Sequence, residues 1–594
     1  MAEKVSDYVF RHIAEETGVK TVFMLPGGGC MHLVDSLGKT PGLNYCCVLH
    51  EQAAAIGADA AGQLSNDLGV ALVTAGPGST NAITGVAGSW IDSTPVLILS
   101  GQAKREDMMT GLGIRQMGIQ EVDTARIVAP VTKYAVCVTD PERVRYELEK
   151  ALYLARHGRK GPVWLDFPLD VQGAMIEPEK QAGYVPEAGP AVDRGAVARR
   201  ILDELRRAKH PVVYVGNGVR LAGAVPEFLR LVERLRLPVM TSWKAADFLP
   251  DDHPCFAGRP GIIAQRAANL VQQSCDLLWI LGTRLDLCQT GFNHPHFAPK
   301  ARRIITDIDP CEIGKLKMEF AFQAAIDAKE LLDAMIALEP APLDTEKYLA
   351  KIRELRRRYP VIPEAYRDLT KPRVNLYHLV EVLAGEARPG DILVPGSSGA
   401  CAEVTMQAIP VKEGIRIFNT PGLGSMGFGL PAAIAAGILT GKRVISLIGD
   451  GGLQHNIQEL QTLARVRSEV KLFILNNNGY GSIYQMQKNR FAGHFVASSP
   501  ESGVTMPELE KIAAAYGIAF RRIAAPAELA DGVAAVLATT GPVLCEVMLD
   551  PNVPSAPRLS SETRPDGSIV SKPMEDLAPF LPPEELRAVL EELS

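Results

Sequence analysis

The stretch of sequence that decides the fold is ISLIGDGGLQHNIQEL at 445–460, together with VKLFILNNNGYGSIYQMQKNRF at 470–491. Each part begins with a short apolar run that ends in glycine and in carboxylate or amide side chains. Such runs are typical of buried strands in a parallel sheet. The interval from Asp450 to Asn477 accommodates a turn, a helix and the next strand. Both side chains are therefore predicted at the carboxyl ends of neighbouring strands, where such sheets bind ligands.

Asp450 and Asn477 have the chemistry of magnesium ligands. Mg2+ prefers oxygen ligands and usually keeps phosphate oxygens and water in its shell, so a carboxylate, an amide oxygen and a backbone carbonyl suffice. Gly449, Gly451 and Gly452 would let the backbone approach a diphosphate closely. The alternative is that GDGG and NNNG are two ordinary surface turns, because both compositions favour turns.

The same two parts resemble the signature of thiamine diphosphate enzymes, in which GDG is followed some two dozen residues later by NN. By that resemblance, Asp450, Asn477 and the carbonyl of Gly479 hold the Mg2+ that binds the cofactor diphosphate. Thiamine chemistry requires loss of the thiazolium C2 proton, which the cofactor's own aminopyrimidine removes when a carboxylic acid stabilises its imino tautomer. One buried glutamate is therefore expected in the N-terminal third.

Glu51, in YCCVLHEQAAAIGADAAGQLS at 45–65, meets this expectation. It begins a predicted helix of small residues that follows a short apolar strand. A glutamate in the first turn of a helix is commonly there only because it complements the helix dipole. The neighbouring stretches favour the catalytic interpretation: FMLPGGG lies at 23–29 and VTAGPGSTNAITGVAGSWIDSTPVLILSGQ at 73–102.

These stretches resemble the pyrimidine-binding domain of acetohydroxyacid (acetolactate) synthase large subunits, and the likeness covers almost the whole chain. It includes Pro26-Gly27-Gly28, which are expected to bind the cofactor, GPVWLDFPLDVQ at 161–172 and GLGSMGFGLPAAI at 422–434. The resemblance implies that Met426 supports the bent cofactor, that the carbonyl of Gly424 receives its aminopyrimidine, and that Gln120 faces the substrate. The chain lacks the His-His pair of simple pyruvate decarboxylases, which favours ligation over aldehyde release.

Glycine-rich turns also follow the apolar strands of the central third, at PVVYVGNGV (211–219), LGTRLDL (281–287) and TDIDPCEIGK (306–315). In order and spacing they resemble the FAD-binding domain of acetohydroxyacid synthases, where the flavin is mostly structural. The residues that this resemblance assigns to FAD are Arg284, Asp307, Asp309 and Asp327. The alternative is a domain that kept the fold and lost the flavin, because such turns also close ordinary parallel strands.

The resemblance breaks at two places. Counting on from Gly481, Met486 occupies the position of a Trp that selects the second 2-oxoacid in this family, so substrate choice is open. The stretch GSSGACAEV at 396–404 lacks the family's Gln-His-Gln, which leaves Ser397 and Ser398 as diphosphate donors. The stretch from NNNGYGSIYQM onward and the tail look more like a subgroup associated with cell-surface sugars, some of which transfer acetyl units to keto-sugars.

Alternating apolar strands and amphipathic helices predict an α/β protein with three doubly wound parallel-sheet domains. The resemblance implies that these domains are of the thiamine diphosphate-dependent decarboxylase type. A length of 594 residues fits this number. We expect a pyrimidine-binding domain with Glu51 at 1–180, a central FAD-domain-like unit at 190–355, a diphosphate- and Mg2+-binding domain at 370–556, and a C-terminal tail at 557–594.

The composition argues for small-molecule ligands. The net charge is −6 and there is no long Lys/Arg run, so no nucleic acid or anionic membrane is expected as a partner. The first residues, MAEKVSDYVFRHIAEETG, are charged where a signal peptide is apolar, and no later segment holds about 18 uncharged apolar residues, which predicts a cytoplasmic protein. The ten cysteines show no C-x-x-C pair that would indicate a metal site or a disulfide framework.

The predicted function is decarboxylation of a 2-oxoacid, with pyruvate ranked first, and ligation of the two-carbon unit to an aldehyde, ketone or 2-oxoacid. The alternatives are the catalytic subunit of a housekeeping acetolactate synthase and a flavin-dependent pyruvate oxidase. A non-catalytic nucleotide-binding or scaffold protein would not need Glu51 together with both metal ligands. The resemblance further implies a homodimer or homotetramer with its sites between subunits.

Overall fold

The computed structural model describes residues 2–187, 189 and 192–593. Three six-stranded parallel sheets follow one another along the described chain, with helices between their strands. Two antiparallel two-stranded ribbons complete the strands. The predicted fold class, α/β with three parallel sheets, is thereby confirmed.

The N-terminal unit carries the first sheet, in the order β3-β2-β4-β5-β7-β6. Its strands, with the β1–β8 ribbon, are β1 (Glu3–Lys4), β2 (Thr21–Met24), β3 (Asn44–Cys47), β4 (Gly69–Val73), β5 (Val96–Gln102), β6 (Tyr134–Cys137), β7 (Val163–Pro168) and β8 (Met175–Ile176). Its helices are α1 (Val5–Glu16), α2 (Met31–Lys39), α3 (Glu51–Ser65), α4 (Pro77–Asp92), α5 (Thr124–Val128), α6 (Val144–Arg156) and α7 (Leu169–Gln172).

The central unit carries the second sheet, in the order β11-β10-β9-β12-β13-β14. Its strands are β9 (Pro211–Val215), β10 (Val239–Thr241), β11 (Phe256–Gly258), β12 (Leu277–Leu281), β13 (Arg302–Asp307) and β14 (Phe322–Ala325). Its helices are α8 (Arg194–Arg207), α9 (Gly218–Leu221), α10 (Val225–Leu235), α11 (Arg266–Ser274), α12 (Pro310–Gly314), α13 (Ala328–Ala337) and α14 (Glu346–Arg358).

The C-terminal unit carries the third sheet, in the order β16-β15-β17-β18-β20-β19. Its strands are β15 (Ile392–Pro395), β16 (Arg416–Ile417), β17 (Val444–Gly449), β18 (Val470–Asn476), β19 (Ala519–Ile523) and β20 (Val543–Met548). Its helices are α15 (Leu376–Glu386), α16 (Ala400–Ala408), α17 (Gly429–Thr440), α18 (Asp450–Gln454), α19 (Glu459–Val466), α20 (Gly481–Arg490), α21 (Leu509–Tyr516) and α22 (Leu529–Ala538).

Each sheet has an apolar core on both faces, because successive side chains of a strand point to opposite sides. In β4, Val70 and Leu72 enter one core, whereas Ala71 and Val73 enter the other. The same alternation occurs in β9 and β17. Strands buried on both faces are expected to be continuously apolar, as the sequence shows.

One of these cores is shared between the N-terminal and C-terminal units. It is built largely from the small side chains of α3 and α17, such as Ala54 and Ala433. Small side chains let helices approach closely, and Gly85 of α4 shows how closely: a Cβ there would lie 2.5 Å from the Cβ of Ala55. The helix that begins with Glu51 is thus held rigidly against both units.

The C-terminal tail packs on the central unit. It contains β21 (Ser561–Thr563), β22 (Ile569–Ser571) and α23 (Pro583–Glu592). Met574, Val589 and Leu593 are buried in the core of the central unit. Arg490, the last residue of α20, donates to Ser561 Oγ at 3.0 Å, so the tail also contacts the C-terminal unit. None of the described helices is long and apolar enough to cross a membrane.

Candidate active site

Asp450 and Asn477 come together at the carboxyl edge of the third sheet. Strands β17 and β18 are parallel neighbours, and their last paired residues are Gly449 and Leu475. Both strands therefore end at the same level of the sheet. The Asp450 carboxylate is 1% exposed and accepts hydrogen bonds from the backbone N–H groups of Gly451 (2.9 Å) and Gly479 (3.1 Å). Burial raises the pKa of Asp450 to about 6. A cation beside it would therefore stabilise the charged carboxylate.

The surroundings of Asn477 fit a hard metal ion. Its Oδ1 atom is buried and has no hydrogen-bond partner among the described residues, which leaves the oxygen free for a ligand. A Cβ at Gly481 would lie 2.3 Å from Asn477 Nδ2, so only glycine leaves room for this amide. No cluster of three His, Cys, Asp or Glu side chains in the described chain could hold a metal alone. An ion here would complete its shell with phosphate and water, as Mg2+ does.

Glu51 is the first residue of α3 and is 7% exposed. Its Oε2 atom accepts a hydrogen bond from Asn81 Nδ2 at 3.0 Å. His50 caps the helix, because its Nδ1 atom accepts the backbone N–H of Gln52 at 3.1 Å. The carboxylate therefore has a fixed place and at least one polar partner.

Two contacts tie the Glu51 segment to the C-terminal unit of the same chain. The backbone N–H of Leu49 donates to Glu459 Oε1 at 2.9 Å. Asn456 Nδ2 donates to the carbonyl of Gly427 at 2.8 Å and lies 3.3 Å from Gln52 Oε1. Asn456 thus links the residue after Glu51 to the residue after Met426.

Asn81, Asn456 and Glu459 were not predicted from the sequence as functional residues. All three lie in stretches that the family resemblance rests on, GPGSTN at 76–81 and GGLQHNIQEL at 451–460. For Asn456 and Glu459, which are buried, the available signal was a polar side chain inside an otherwise apolar or glycine-rich run, because buried polar groups need partners. Asn81 is exposed, so this signal does not apply to it.

The segment around Gly424 and Met426 is a glycine-dependent turn. Gly424 has φ 66° and Gly427 has φ 90°, which favours glycine at both positions. At Gly427 a Cβ would also lie 2.8 Å from Asn456 Nδ2. Met426 is 37% exposed, so its side chain is available to a ligand.

Pro26, Gly27 and Gly28 follow β2, and Gly28 opens a short turn of 3-10 helix that ends at Cys30. A Cβ at Gly27 would lie 2.5 Å from Thr74 Oγ1, so glycine is required for the contact with the end of β4. No atom lies within 4 Å of the Cβ position at Gly28, so open space adjoins its backbone.

Gln120 lies in an exposed loop, where its backbone is in the left-handed region. Its φ is 60°, and its carbonyl oxygen lies 2.2 Å from the Cβ position of Gly76, where only glycine fits. The next residue, Glu121, is buried and accepts the backbone N–H groups of Met117 and Gly118, both at 3.0 Å. The loop is thereby held from within, although Gln120 itself is exposed.

Met486 lies on α20, which begins beside Asn477, and its side chain is 41% exposed. The structure therefore places the predicted acceptor-selecting residue on the same side of the C-terminal unit as the predicted metal ligands.

A cavity of about 970 Å³ lies where the three units meet. Its lining includes Arg284, Asp307 and Asp327 from the central unit, and Ser397 and Ser398 from the C-terminal unit. Burial raises the pKa of Asp307. Ser397 Oγ also accepts the backbone N–H of Thr420 at 3.1 Å. A cavity of this volume is at the upper end of the range for small-molecule and cofactor sites.

Asp309 is not among the residues that line this cavity. Its carboxylate caps α12 through the backbone N–H of Cys311 and forms an ion pair with Arg159 at 2.8 Å. Of the four residues assigned to FAD by resemblance, three thus face the cavity, whereas Asp309 joins the central unit to the N-terminal unit.

Comparison with protein families matches three consecutive parts of the chain. The N-terminal TPP binding domain of thiamine pyrophosphate enzymes matches residues 3–127. The central domain of the same enzymes matches residues 198–335, and their C-terminal TPP binding domain matches residues 397–547. Thiamine pyrophosphate is another name for thiamine diphosphate.

Curated relatives match over most of their length. A probable acetolactate synthase large subunit from Methanocaldococcus jannaschii is 33% identical, over 93% of this chain and 94% of its own. The large subunit of acetolactate synthase isozyme 3 from Escherichia coli is 34% identical, over 88% of this chain and 90% of its own. By domain order and by whole-length similarity, the chain belongs to the thiamine diphosphate-dependent enzymes of the acetolactate synthase-like family.

Proposed function

We propose that the protein is a thiamine diphosphate- and Mg2+-dependent carboligase. It decarboxylates a 2-oxoacid, with pyruvate as the first choice, and joins the two-carbon unit to the carbonyl carbon of an aldehyde, ketone or second 2-oxoacid. The observation that carries this proposal is the buried Asn477 Oδ1 atom, which has no partner among the described residues. It lies two residues before Gly479, whose backbone N–H donates to the buried Asp450 carboxylate.

When bound, thiamine diphosphate supplies a nucleophilic thiazolium carbon and an electron sink for decarboxylation. Asp450, Asn477 and the Gly479 carbonyl would hold Mg2+ against its diphosphate. Glu51 would donate a proton to the pyrimidine ring nitrogen and take it back, and Asn81 would keep its carboxylate in place. The exposed side chain of Met426 would pack against the cofactor and support its bent shape.

Gln120 and Met486 would select the substrates. Gln120 offers an amide that can donate to and accept from a carboxylate or carbonyl. Met486 is a flexible thioether that packs adaptably and gives little polar direction. An acceptor site lined by such a residue should tolerate ketones, bulky aldehydes and keto-sugars beside 2-oxoacids.

We also propose that the cavity between the three units holds FAD in a mainly structural role. Arg284, Asp307 and Asp327 line it, and its volume suits a dinucleotide. Asp309 is left out of this assignment because its carboxylate is committed to Arg159 and to the start of α12. Flavin absorbance of the purified protein, and its loss in Arg284→Ala, would test the proposal without an activity assay.

A homodimer or homotetramer completes the proposal. The loop before Gln120 exposes four apolar side chains, Leu112, Ile114, Met117 and Ile119, and Ile119 is 91% exposed. Contiguous exposed apolar residues next to a site are typical of a surface that another chain covers. A second copy of the chain would thus cover the loop that carries Gln120.

The function is tested by incubating the protein with pyruvate, Mg2+ and thiamine diphosphate and with a panel of 2-oxoacids, aldehydes, ketones and keto-sugars. Mass spectrometry should find products that are two carbons longer than the acceptor used.

A second candidate function, that of an acetolactate synthase large subunit, is favoured by the names of the relatives. It would be indicated if only 2-oxoacids served as acceptors.

A further inference from the structure

Lys244 lies in a short 3-10 turn (Trp243–Ala245) after β10 and connects all three units. Its ammonium donates to Gln63 Oε1 at 2.7 Å, to Asp92 Oδ2 at 3.2 Å and to the carbonyl of Asn419 at 2.9 Å. Gln63 and Asp92 belong to the N-terminal unit, and Asn419 begins the segment before α17 in the C-terminal unit. An ammonium group has three N–H donors, so this one is fully used.

The contacts of Lys244 continue into a buried polar network. Asp59 of α3 is 1% exposed and accepts from Gln63 Nε2 at 2.6 Å, from Ser89 Oγ at 2.8 Å and from Thr420 Oγ1 at 3.4 Å. Burial raises the pKa of Asp59, while Lys244 acts in the opposite direction. Asp59 and Asp92, two acidic side chains of the N-terminal unit, are thus both stabilised by the Lys244 ammonium of the central unit.

This network reaches the segment 419–426, which contains the proposed cofactor residues Gly424 and Met426. The segment has neither helix nor strand, so few regular backbone hydrogen bonds define its shape. Two of the bonds it does have start at Thr420, whose N–H donates to Ser397 Oγ at 3.1 Å and whose carbonyl accepts the N–H of Gly424 at 3.0 Å. Its beginning is therefore anchored by the residue pair Asn419 and Thr420.

We propose that Lys244 is a positioning residue that holds the segment 419–426 in the shape that receives the pyrimidine end of thiamine diphosphate. The proposal rests on the proposed cofactor site. Lys244 acts on the thiamine diphosphate site through Asn419 and Thr420, and it also lines the cavity proposed for FAD. Without its ammonium, the buried Asp92 carboxylate loses its cation and the Asn419 carbonyl loses its donor, and both groups gain by moving toward water.

The test compares Lys244→Met with a matched control, Lys471→Met. The Lys471 ammonium likewise has one carboxylate partner, Glu469, and two carbonyl partners, Thr539 and Gly541. Its side chain is fully buried, whereas that of Lys244 is 13% exposed. The partners of Lys471 lie in the C-terminal unit and outside the segment 419–426. Both variants remove an ammonium with three acceptor partners, but only Lys244→Met removes one that bonds to the segment 419–426.

Two measurements are made on the full chain. The first is amide hydrogen exchange of peptides covering 419–426 without any cofactor, read by mass spectrometry. The second is the dissociation constant of thiamine diphosphate with Mg2+ in excess, read by calorimetry. We expect Lys244→Met to speed exchange in this segment and to weaken cofactor binding roughly tenfold. Lys471→Met should lower the melting temperature and leave both quantities at the wild-type values.

A third arm uses the position of Lys244 at the wall of the cavity. A small alkylammonium ion such as n-propylammonium can enter the space that Lys244→Ala leaves. It should restore cofactor affinity and slow exchange in the segment again, and it should do neither for Lys471→Ala.

The proposal is overturned if Lys244→Met exchanges and binds like the wild type, or if both lysine variants loosen the segment equally. If Lys244→Met does not fold, Lys244→Gln, which keeps a donor without the charge, takes its place under the same criteria. Failure of the wild-type protein to bind thiamine diphosphate would instead refute the proposed function. The exchange measurement still decides the role of Lys244 in shaping the segment, because it needs no cofactor.

Discussion

The side-chain amide of Asn81 donates to the Oε2 atom of Glu51 at 3.0 Å, from the second turn of α4 to the first residue of α3. The two residues stand on different helices that pack along each other. This bond fixes one carboxylate oxygen and leaves Oε1 without a hydrogen bond to a described side chain or backbone group. In the proposed function, that oxygen is the one that would face the pyrimidine nitrogen.

Glu51→Gln should keep cofactor affinity and lose most proton exchange at the thiazolium C2 atom. The amide fills the same space but cannot donate and take back the proton, and such a group typically contributes about 10²- to 10⁴-fold. Hydrogen-deuterium exchange of bound thiamine diphosphate, followed by NMR, measures the effect. Exchange at the wild-type rate in a variant that binds the cofactor would remove Glu51 from this role.

Asn81→Ala should slow the same exchange by a smaller factor, of about tenfold, because it removes one hydrogen bond to a charged group and leaves the carboxylate present. Thr80→Ala is the matched control. Thr80 is exposed, and its hydroxyl bonds only to the backbone carbonyl of Pro77. An equal loss in both variants would show that α4 is merely destabilised.

Asp450→Ala and Asn477→Ala should weaken binding of Mg2+ and thiamine diphosphate by about 10- to 100-fold or more. Each removes one hard oxygen ligand and leaves the diphosphate charge less compensated. Titration calorimetry at fixed Mg2+ gives the affinity, and circular dichroism shows whether the fold is intact. Wild-type affinity in a folded variant would show that the residue is not a ligand.

Gly481→Ala should reduce Mg2+ affinity although it changes no ligand atom. The new Cβ would lie 2.3 Å from Asn477 Nδ2 and would push the amide away from its position. Gly385→Ala serves as the control, because it is also a helical glycine of the C-terminal unit but has no atom within 4 Å of its Cβ position. We expect that control to bind both ligands normally.

Met486→Trp should increase the preference for 2-oxobutyrate over pyruvate as acceptor. A planar indole offers a fixed shape and one N–H donor, whereas the thioether of Met486 adapts to its ligand. Selection by one methylene is worth about 1–3 kcal/mol, so we expect weak selection in the native protein. A competition assay with equal concentrations measures the product ratio. A native protein that strongly prefers 2-oxobutyrate and accepts only 2-oxoacids would point to an ordinary acetolactate synthase.

Coexpression of Glu51→Gln and Asp450→Ala chains should restore activity if each site combines two subunits. A mixed dimer then has one site with both residues intact and one with neither. Random assembly predicts about a quarter of wild-type activity, because half of the dimers are mixed and each has one working site. Sites within single chains would stay inactive in every dimer. Sedimentation of the wild type should show a dimer or larger, and a fully active monomer would refute the assembly.

Much of the fold could be predicted because its information is local. An apolar run such as β17 that ends in Gly449 and Asp450 specifies both a buried strand and the edge at which its polar residue emerges. The same reasoning predicted Asn477 at the end of the neighbouring strand, β18. The observed pairing of β17 with β18 agrees with this prediction. A buried glutamate was expected in the N-terminal third because thiamine chemistry requires one, and Glu51 is buried.

Only the tertiary structure decided which distant groups meet. Asn456 joins Gln52 to Gly427, and Lys244 joins α3 and α4 to Asn419, because helices from separate sheets pack together there. Asp309 pairs with Arg159 across two units, although its sequence context resembles a flavin ligand. A local pattern specifies which face of an element is buried. It carries no information on the partner that covers that face, because the partner is set by the summed packing of residues hundreds of positions away.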